Sequence, residues 1–585
     1  MRRMLTLIVL VLVLLGCATT LKTSGNTGGA FIVAPENHRP WDANGSSKDF
    51  DRTASARNGM VASSKYEASS IGRQILQAGG NAIDAAVAMG FALGVCEPFT
   101  SGLGGGGFMT IYLADKGEAF FIDFREVAPL KSTLELYHDS NGEFIEDSSS
   151  SGGLAVGVPG EAAGLIYALE NYGTMNREQV IRPAANMAAQ GWLSTPYYNA
   201  SVGWGYGDMV DDDAGLTDLG EVFLRDSLPP DVGTVVDNPG LAKALELIIK
   251  NGKDGFYKGE VAQALVNTVQ AGGGVMTLED LAGYKVRVLE PVKGNYRGYD
   301  IFSSPPPSSG GTAFIQIMNL LENFPVYKKD SVEQIHLLAE IHKLVYADRA
   351  QYMADPRFAD VPLKGLTSKE YAAKLAGKIN MSAAQTQTFD DPWTFEGSDT
   401  NGSVVMDSKG NMVAVTKSIN YYWGSGLIVK DFGITLNNQL DDFSFNKDSV
   451  NVLEPGKTPL SSMSPTVILK DGKPAMLLSA PGGSKIFPVL TQLFSNIVDY
   501  GMTTDEALQA NRFIGIWGNL EYDAPNMVGS EAIRTLASMG HSMAEKTGSR
   551  FALPSIIAID KNGVITGSSE HIDEGIFLDG LALGY

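Results

Sequence analysis

Apolar positions recur along this chain with two periods, and the stretches where each period holds predict its elements. Between about Gly160 and Lys378 the helical period dominates. Its clearest runs are Glu161 to Asn171, Asn176 to Gln190, Leu241 to Asn251, Val261 to Ala271, Gly311 to Leu321 and Ser331 to Tyr352. Upstream, Glu67 to Ala78 predicts a helix stopped by Gly79-Gly80. Asn81 then caps a second helix, Ala82 to about Leu93, whose apolar residues lie on every side, so it should be buried.

The strand signal is concentrated elsewhere. Phe108 to Leu113 is a β-rich run, and two more strands are expected around Ala119 to Phe124, delivering Arg125 at the end of an apolar stretch. Ser403 to Met406 and Met412 to Thr416 predict a hairpin closed by Asp407-Ser408-Lys409-Gly410-Asn411. After Ser444 come Thr466 to Lys470 and Ala475 to Leu478 around Asp471-Gly472, then Ser555 to Asp560 and Val564 to Thr566 around Asn562-Gly563. Helices are expected between them, over Phe487 to Tyr500 and after the Thr503/Glu506 capping box. Antiparallel strands with helical runs on either side in sequence favour stacked sheets flanked by helices over a doubly wound parallel sheet.

Composition narrows the class. With 585 residues, 44% of them hydrophobic and 19% charged, the chain can bury a large core. Its net charge of −21 opposes attraction to nucleic acid and to anionic membrane surfaces. Met1-Arg2-Arg3 followed by Leu5 to Leu15 has the basic and short apolar regions of a secretory signal, which predicts export. Leu14-Leu15-Gly16-Cys17 resembles a bacterial lipobox, with Cys17 lipidated, residues 1–16 removed, and residues 17–57 a polar tether and lead-in loop. Cys96, the other cysteine, is then unpaired and reads as a buried small hydrophobe.

Candidate chemistry centres on Asp399-Thr400. The small, flexible residues before it would let the Thr400 hydroxyl attack the preceding carbonyl, so that Thr400 becomes a new N-terminus. A free α-amine with a pKa near ~8 can accept the hydroxyl proton, and one residue then supplies both nucleophile and base. Downstream lie polar knots at Ser418-Ile419-Asn420, at Asn437 to Asp442 and at Leu460 to Pro465. A fourth, Ala480-Pro481-Gly482-Gly483-Ser484, carries glycine N–H groups suited to a developing oxyanion. Arg125 is a candidate bidentate clamp for a carboxylate. The glycine run Ser101 to Gly107 contains a formal GxGxxG, but a strand follows it, so a tight turn packed near a site is the better reading. His336 and His342 are six residues apart and face different ways on a helix, and no histidine or cysteine group has metal-ligand spacing.

These knots, together with Gly79 to Ala86, Glu97-Pro98, Asp123 to Glu126, Val156 to Gly160 and Pro305 to Gly311, resemble the γ-glutamyltranspeptidase family, also called glutathione hydrolases, of the N-terminal-nucleophile hydrolase superfamily. The resemblance runs from about Gly59 to Tyr585. It implies a four-layer αββα sandwich made as a precursor. Cleavage between Asp399 and Thr400 would give a large subunit, 58–399, and a small subunit, 400–585, that stay together. It implies a γ-glutamyl ester on Thr400, resolved by water or by an amino acid or dipeptide acceptor, with no metal or organic cofactor.

Carried over, Arg125 with Ser461 and Ser462 binds the α-carboxylate of the γ-glutamyl group, and Asn420, Gln439 and Asp442 receive its α-amine. Gly482 and Gly483 form the oxyanion hole, Ser418 replaces a threonine near the nucleophile's amine, and Tyr422 matches a tyrosine some members place over the site. The sequence departs from the family at Asn401-Gly402, and the short stretch from Asp442 to Ser461 predicts a lidless site that favours hydrolysis. Two rivals remain: an acylase of the same superfamily, of the kind that acts on glutaryl-type β-lactams, and an unprocessed surface lipoprotein that binds without catalysis.

Overall fold

Strands from the two ends of the sequence interleave with strands from its middle. The computed structural model describes residues 39–211, 215–386, 399–516, 518–523, 528–546, 550–570, 572–573 and 575–585. One seven-stranded sheet runs Leu581–Gly584, Met60–Ser63, Asp399–Met406, Met412–Asn420, Gly106–Leu113, Glu118–Asp123, Arg287–Leu289. The second runs Ala54–Ala56, Ile565–Ser569, Ser555–Ile559, Lys473–Ser479, Thr466–Lys470, Tyr299–Ser303, Val292–Tyr296. Neighbours in both are antiparallel.

The period of two sorts side chains into separate cores. Met60, Ala62, Val404, Met406, Met412 and Ala414 pack against Val467, Leu469, Leu477 and Ile557 of the second sheet. The alternate residues Val61, Val405, Val413, Val415 and Ile111 pack with residues of the helices Tyr66–Gln77, Ala82–Cys96, Glu161–Tyr172 and Arg177–Gln190. On the far face of the second sheet, Ile301, Ile468, Met476 and Leu478 meet Gly310–Leu321, Val332–Tyr352 and Ile486–Val498. The layers are therefore helix, sheet, sheet, helix, the stacked arrangement the sequence favours.

Ala82–Cys96 is buried along its length apart from Gly94, and Asn81 closes a capping box with Asp84. Cys96 is buried and has no disulfide partner among the described residues. One strand, not two, forms around Ala119: Glu118–Asp123 returns from Gly106–Leu113 past Gly117, whose φ is +64°. The end of the polar N-terminal stretch is tied down, since Ala54–Ala56 adds an edge strand and the buried Arg52 donates to Leu578 O at 2.9 Å. Cys17 and the predicted signal segment lie outside the described residues. No helix among the described residues is long and apolar enough to cross a membrane.

Candidate active site

Thr400 opens a central strand of the first sheet and is buried. Asp399 pairs with Asn420 and Asn401 with Lys417, so Ser418 and Ile419 together face Thr400. Such a bulge re-aims side chains. Here it brings Ser418 to the nucleophile candidate, and Thr400 Oγ1 donates to Ser418 Oγ at 3.3 Å. Ser418 Oγ also accepts the Asn420 N–H at 2.8 Å, and Asn420 holds φ at +80°, a conformation asparagine tolerates better than most residues. The glycine run backs this corner: a Cβ on Gly105 would sit 2.2 Å from Ser418 O, and one on Gly104 2.0 Å from Thr435 O. The formal GxGxxG is thus a close-approach turn, as expected, and it leads into a strand.

Arg125 sits just past Glu118–Asp123, with its backbone N–H donating to Asp123 Oδ1 at 3.0 Å. Its guanidinium is buried, donates to Leu460 O at 2.9 Å and pairs with Asp442 Oδ2. Gln439 Nε2 donates to the same Asp442 oxygen at 2.7 Å. Asn437 fastens this knot to the rest: its Nδ2 donates to Gly104 O at 2.7 Å and Gly157 O at 2.9 Å, while its Oδ1 accepts from Gln439 N at 2.9 Å. Among the described residues, Arg125 Nε and Gln439 Oε1 are buried without a hydrogen-bond partner, which leaves this corner able to bind a polar ligand.

The serine pair is held from two sides. Ser309 donates through both N and Oγ to Ser461 O, at 2.8 and 2.7 Å. Arg349, on the Val332–Tyr352 helix, donates through Nε to Ser309 Oγ at 2.8 Å and through Nη2 to Ser462 Oγ at 3.1 Å. Neither Arg349 nor Ser309 is among the site residues expected from the sequence. Ser309 lies in the Pro305 to Gly311 segment that contributes to the family resemblance without a role of its own, and a guanidinium on the buried side of a long helix is the available signal for Arg349.

Gly482 and Gly483 follow the Lys473–Ser479 strand with φ of +138° and +54°. The strand end lies against the head of the Thr400 strand, because a Cβ on Gly402 would sit 3.0 Å from Ser479 Oγ and 3.1 Å from Ala480 N. Tyr422 stacks on Phe99 with centroids 5.6 Å apart, and its hydroxyl is 2.9 Å from that of Tyr197. Between Asp442 and Ser461 the chain folds inward: Phe443, Leu453 and Leu460 are buried, and Asn451 Nδ2 donates to Asp442 O at 2.7 Å. Most of this stretch packs into the body of the protein, with Asn446 to Asp448 exposed.

The fold does gather histidines that the sequence keeps apart. His336, Glu340 and His541 come together, with His336 Nδ1 and His541 Nε2 2.7 Å apart and His336 Nε2 2.9 Å from Asn380 O. Two nitrogens on one tetrahedral zinc would stand roughly 3.3 Å apart given bonds of about 2.0–2.1 Å. Lys343 is already paired with Glu340, whose Oε2 accepts the Gln385 N–H at 3.2 Å. The group reads as a hydrogen-bonded clasp on residues 380–385. Burial lowers the His541 ring to about 4, which keeps it neutral.

Comparison with known proteins identifies the family. The chain matches the family model described as Gamma-glutamyltranspeptidase over residues 68–578. It is 40% identical over 513 residues to the glutathione hydrolase proenzyme of Pseudomonas sp. (strain A14), covering 85% of this chain and 87% of that one. It is 37% identical over 574 residues to the glutathione hydrolase proenzyme of Escherichia coli (strain K12), covering 96% and 97%. Among solved structures, the cephalosporin acylase from Bacillus halodurans is similar with a TM-score of 0.81 at 28% identity, over 95% of this chain and 99% of that one. The chain belongs to the gamma-glutamyltranspeptidase family.

Proposed function

We propose that the protein is cleaved between Asp399 and Thr400 into chains 58–399 and 400–585, and that Thr400 then hydrolyses or transfers the γ-glutamyl group of glutathione and related amides. The observation that carries this is Thr400 at the head of a central strand, its hydroxyl on Ser418 in the bulge opposite. In maturation Thr400 Oγ attacks the Asp399 carbonyl, the acyl group shifts to Oγ as an ester while the C–N bond breaks and frees the Thr400 amine, and water then hydrolyses the ester to the Asp399 carboxylate and the Thr400 hydroxyl. In turnover Oγ attacks the γ-carbonyl and its proton passes to that amine. The oxyanion faces the N–H groups of Gly482 and Gly483, and the leaving amine takes the proton as the C–N bond breaks. Water, or the amine of an amino acid or dipeptide, resolves the ester, with water favoured where no lid covers the site.

Arg125, Ser461 and Ser462 take the α-carboxylate; Asn420, Gln439 and Asp442 take the α-amine; Tyr422 flanks the opening. An acylase acting on substrates without an amine would not need Asp442 beside Arg125, so the buried pair favours a γ-glutamyl donor. Export and anchoring through a lipid on Cys17 complete the proposal. The test is a denaturing gel plus glutamate release from γ-glutamyl-p-nitroanilide. The wild type should run as two chains, the smaller starting at Thr400, and release glutamate, while Thr400→Ala stays whole and inactive. A single persistent chain without activity sinks the reading.

A further inference from the structure

We infer that Glu97 is a positioning residue that acts through Asn401 to fix the strand head presenting Thr400, an inference that rests on the function proposed above. Asn401 is fully buried. Its Nδ2 donates to Glu97 Oε2, and its Oδ1 lies 3.3 Å from Ser64 Oγ. The single hydroxyl hydrogen of Ser64 goes to the nearer Glu97 Oε2, at 2.7 Å, and is at most shared with Asn401 Oδ1. Glu97 ends the Ala82–Cys96 helix with its N–H on Leu93 O at 2.8 Å, and Ser64 follows the Met60–Ser63 strand. Both anchors belong to what becomes the large subunit, and Asn401 to the small one.

Scission removes the covalent restraint on the N-terminal side of Thr400, and a new chain end frays unless something ties it down. The Asn401 side chain supplies that tie one residue from the reacting hydroxyl, where a displacement of about 1 Å costs roughly a hundredfold in rate. Asn401 is also where this sequence departs from the family pattern, so the departure has a partner. The charged groups acting on Glu97 are Lys65 beside the Tyr66–Gln77 helix, Lys417 on the Met412–Asn420 strand and Asp579 near the C-terminus, while Glu67 acts on Lys65. Lys65 is engaged by Asp579 and Lys417 by Glu161. Burial raises the Glu97 carboxyl to about 6 while both lysines oppose it, so it is mostly ionised at neutral pH.

The test exchanges donor and acceptor. Asn401→Asp keeps the size but sets a second carboxylate against Glu97. At about pH 7.5, precursor cleavage and kcat/KM should each fall at least about tenfold. The ratio of variant to wild type should climb as the pH is lowered to about 5.5, because protonating one carboxyl restores a donor. Asn401→Asp combined with Glu97→Gln restores the donor at all pH, and both readouts at about pH 7.5 should return to within about threefold of wild type. A merely structural loss would show neither the pH trend nor the rescue. A single variant with wild-type cleavage and pH profile, or a double variant no better than the single, overturns the inference. An uncleaved, inactive wild type would instead overturn the function on which it rests.

Discussion

Arg125 and Asp442, assigned from the sequence to opposite ends of one substrate, form a buried ion pair with each other. A γ-glutamyl group carries a carboxylate and an ammonium, so on entering it gives each protein charge a second partner and leaves neither bare. Asp442→Asn removes the ammonium's partner and strands Arg125 in a buried site. Removing one member of a buried pair costs about 3–5 kcal/mol. KM for γ-glutamyl-p-nitroanilide should therefore rise by about 10²–10⁴-fold, while the cleaved subunits still appear on a gel, because the pair does not touch Thr400. Unchanged KM would remove Asp442 from the binding pocket.

Arg349 reaches two hydroxyls with one guanidinium, Ser309 through Nε and Ser462 through Nη2. Lysine has the charge but not the fork. With Arg349→Lys one hydroxyl loses its donor, so KM should rise by about tenfold, the worth of one hydrogen bond to a charged group, with kcat within about twofold of wild type. Steady-state kinetics separates the two, and a fall in kcat alone would mean that Arg349 serves something other than the carboxylate pocket.

What the sequence reveals follows from the range of each interaction. The period of two along Val404 to Met406 and Met412 to Val415 places the central hairpin, because strand alternation is local and half of each strand faces the other sheet. Arg349 and Ser462 are 113 residues apart, and His336 and His541 are 205 apart. No spacing encodes such meetings, which exist only once the layers have stacked. Asn401 was legible as a departure, but not as a hydrogen-bond donor to Glu97, 304 residues earlier.

Gly482 tests the oxyanion assignment. At φ +138° a side chain is strained, and its Cβ would lie 2.7 Å from the Ala552 Cβ. Gly482→Ala should cost about 1–3 kcal/mol of backbone strain, read as a lower melting temperature. Displacing an oxyanion donor should also lower kcat by about 10²-fold with KM little changed. If KM carries the loss instead, these glycines shape the binding pocket rather than the transition state.

Ser418 stands between Thr400 Oγ1, which donates to it, and the Asn420 N–H, which it also accepts. Ser418→Thr keeps the hydroxyl and should retain cleavage. Ser418→Ala leaves two buried donors without their acceptor, at about 1–3 kcal/mol. Precursor cleavage, followed as the appearance of the smaller chain, should slow by about 10–100-fold. Equal rates for the two variants would show that the hydroxyl plays no part.

Glu126 gives the protein a pH dependence of predictable sign. Burial raises its carboxyl to about 8, with Arg125 pulling the other way, against an ordinary value of 4.5. The folded state thus holds this proton more tightly than the unfolded chain. The cost of ionising it in place is absent below about pH 4.5, grows between there and about pH 8, and is constant above. Glu126→Gln has no proton to lose. Its unfolding free energy should nearly match wild type near pH 5 and exceed it increasingly toward pH 8, by on the order of 1–2 kcal/mol after relaxation around the buried carboxylate, read as a widening gap in melting temperature. Glu67 and Glu97, also raised by burial, tilt both proteins alike and cancel in the difference. A difference that stays flat from pH 5 to 8 would mean that Arg125 fully compensates the Glu126 carboxylate.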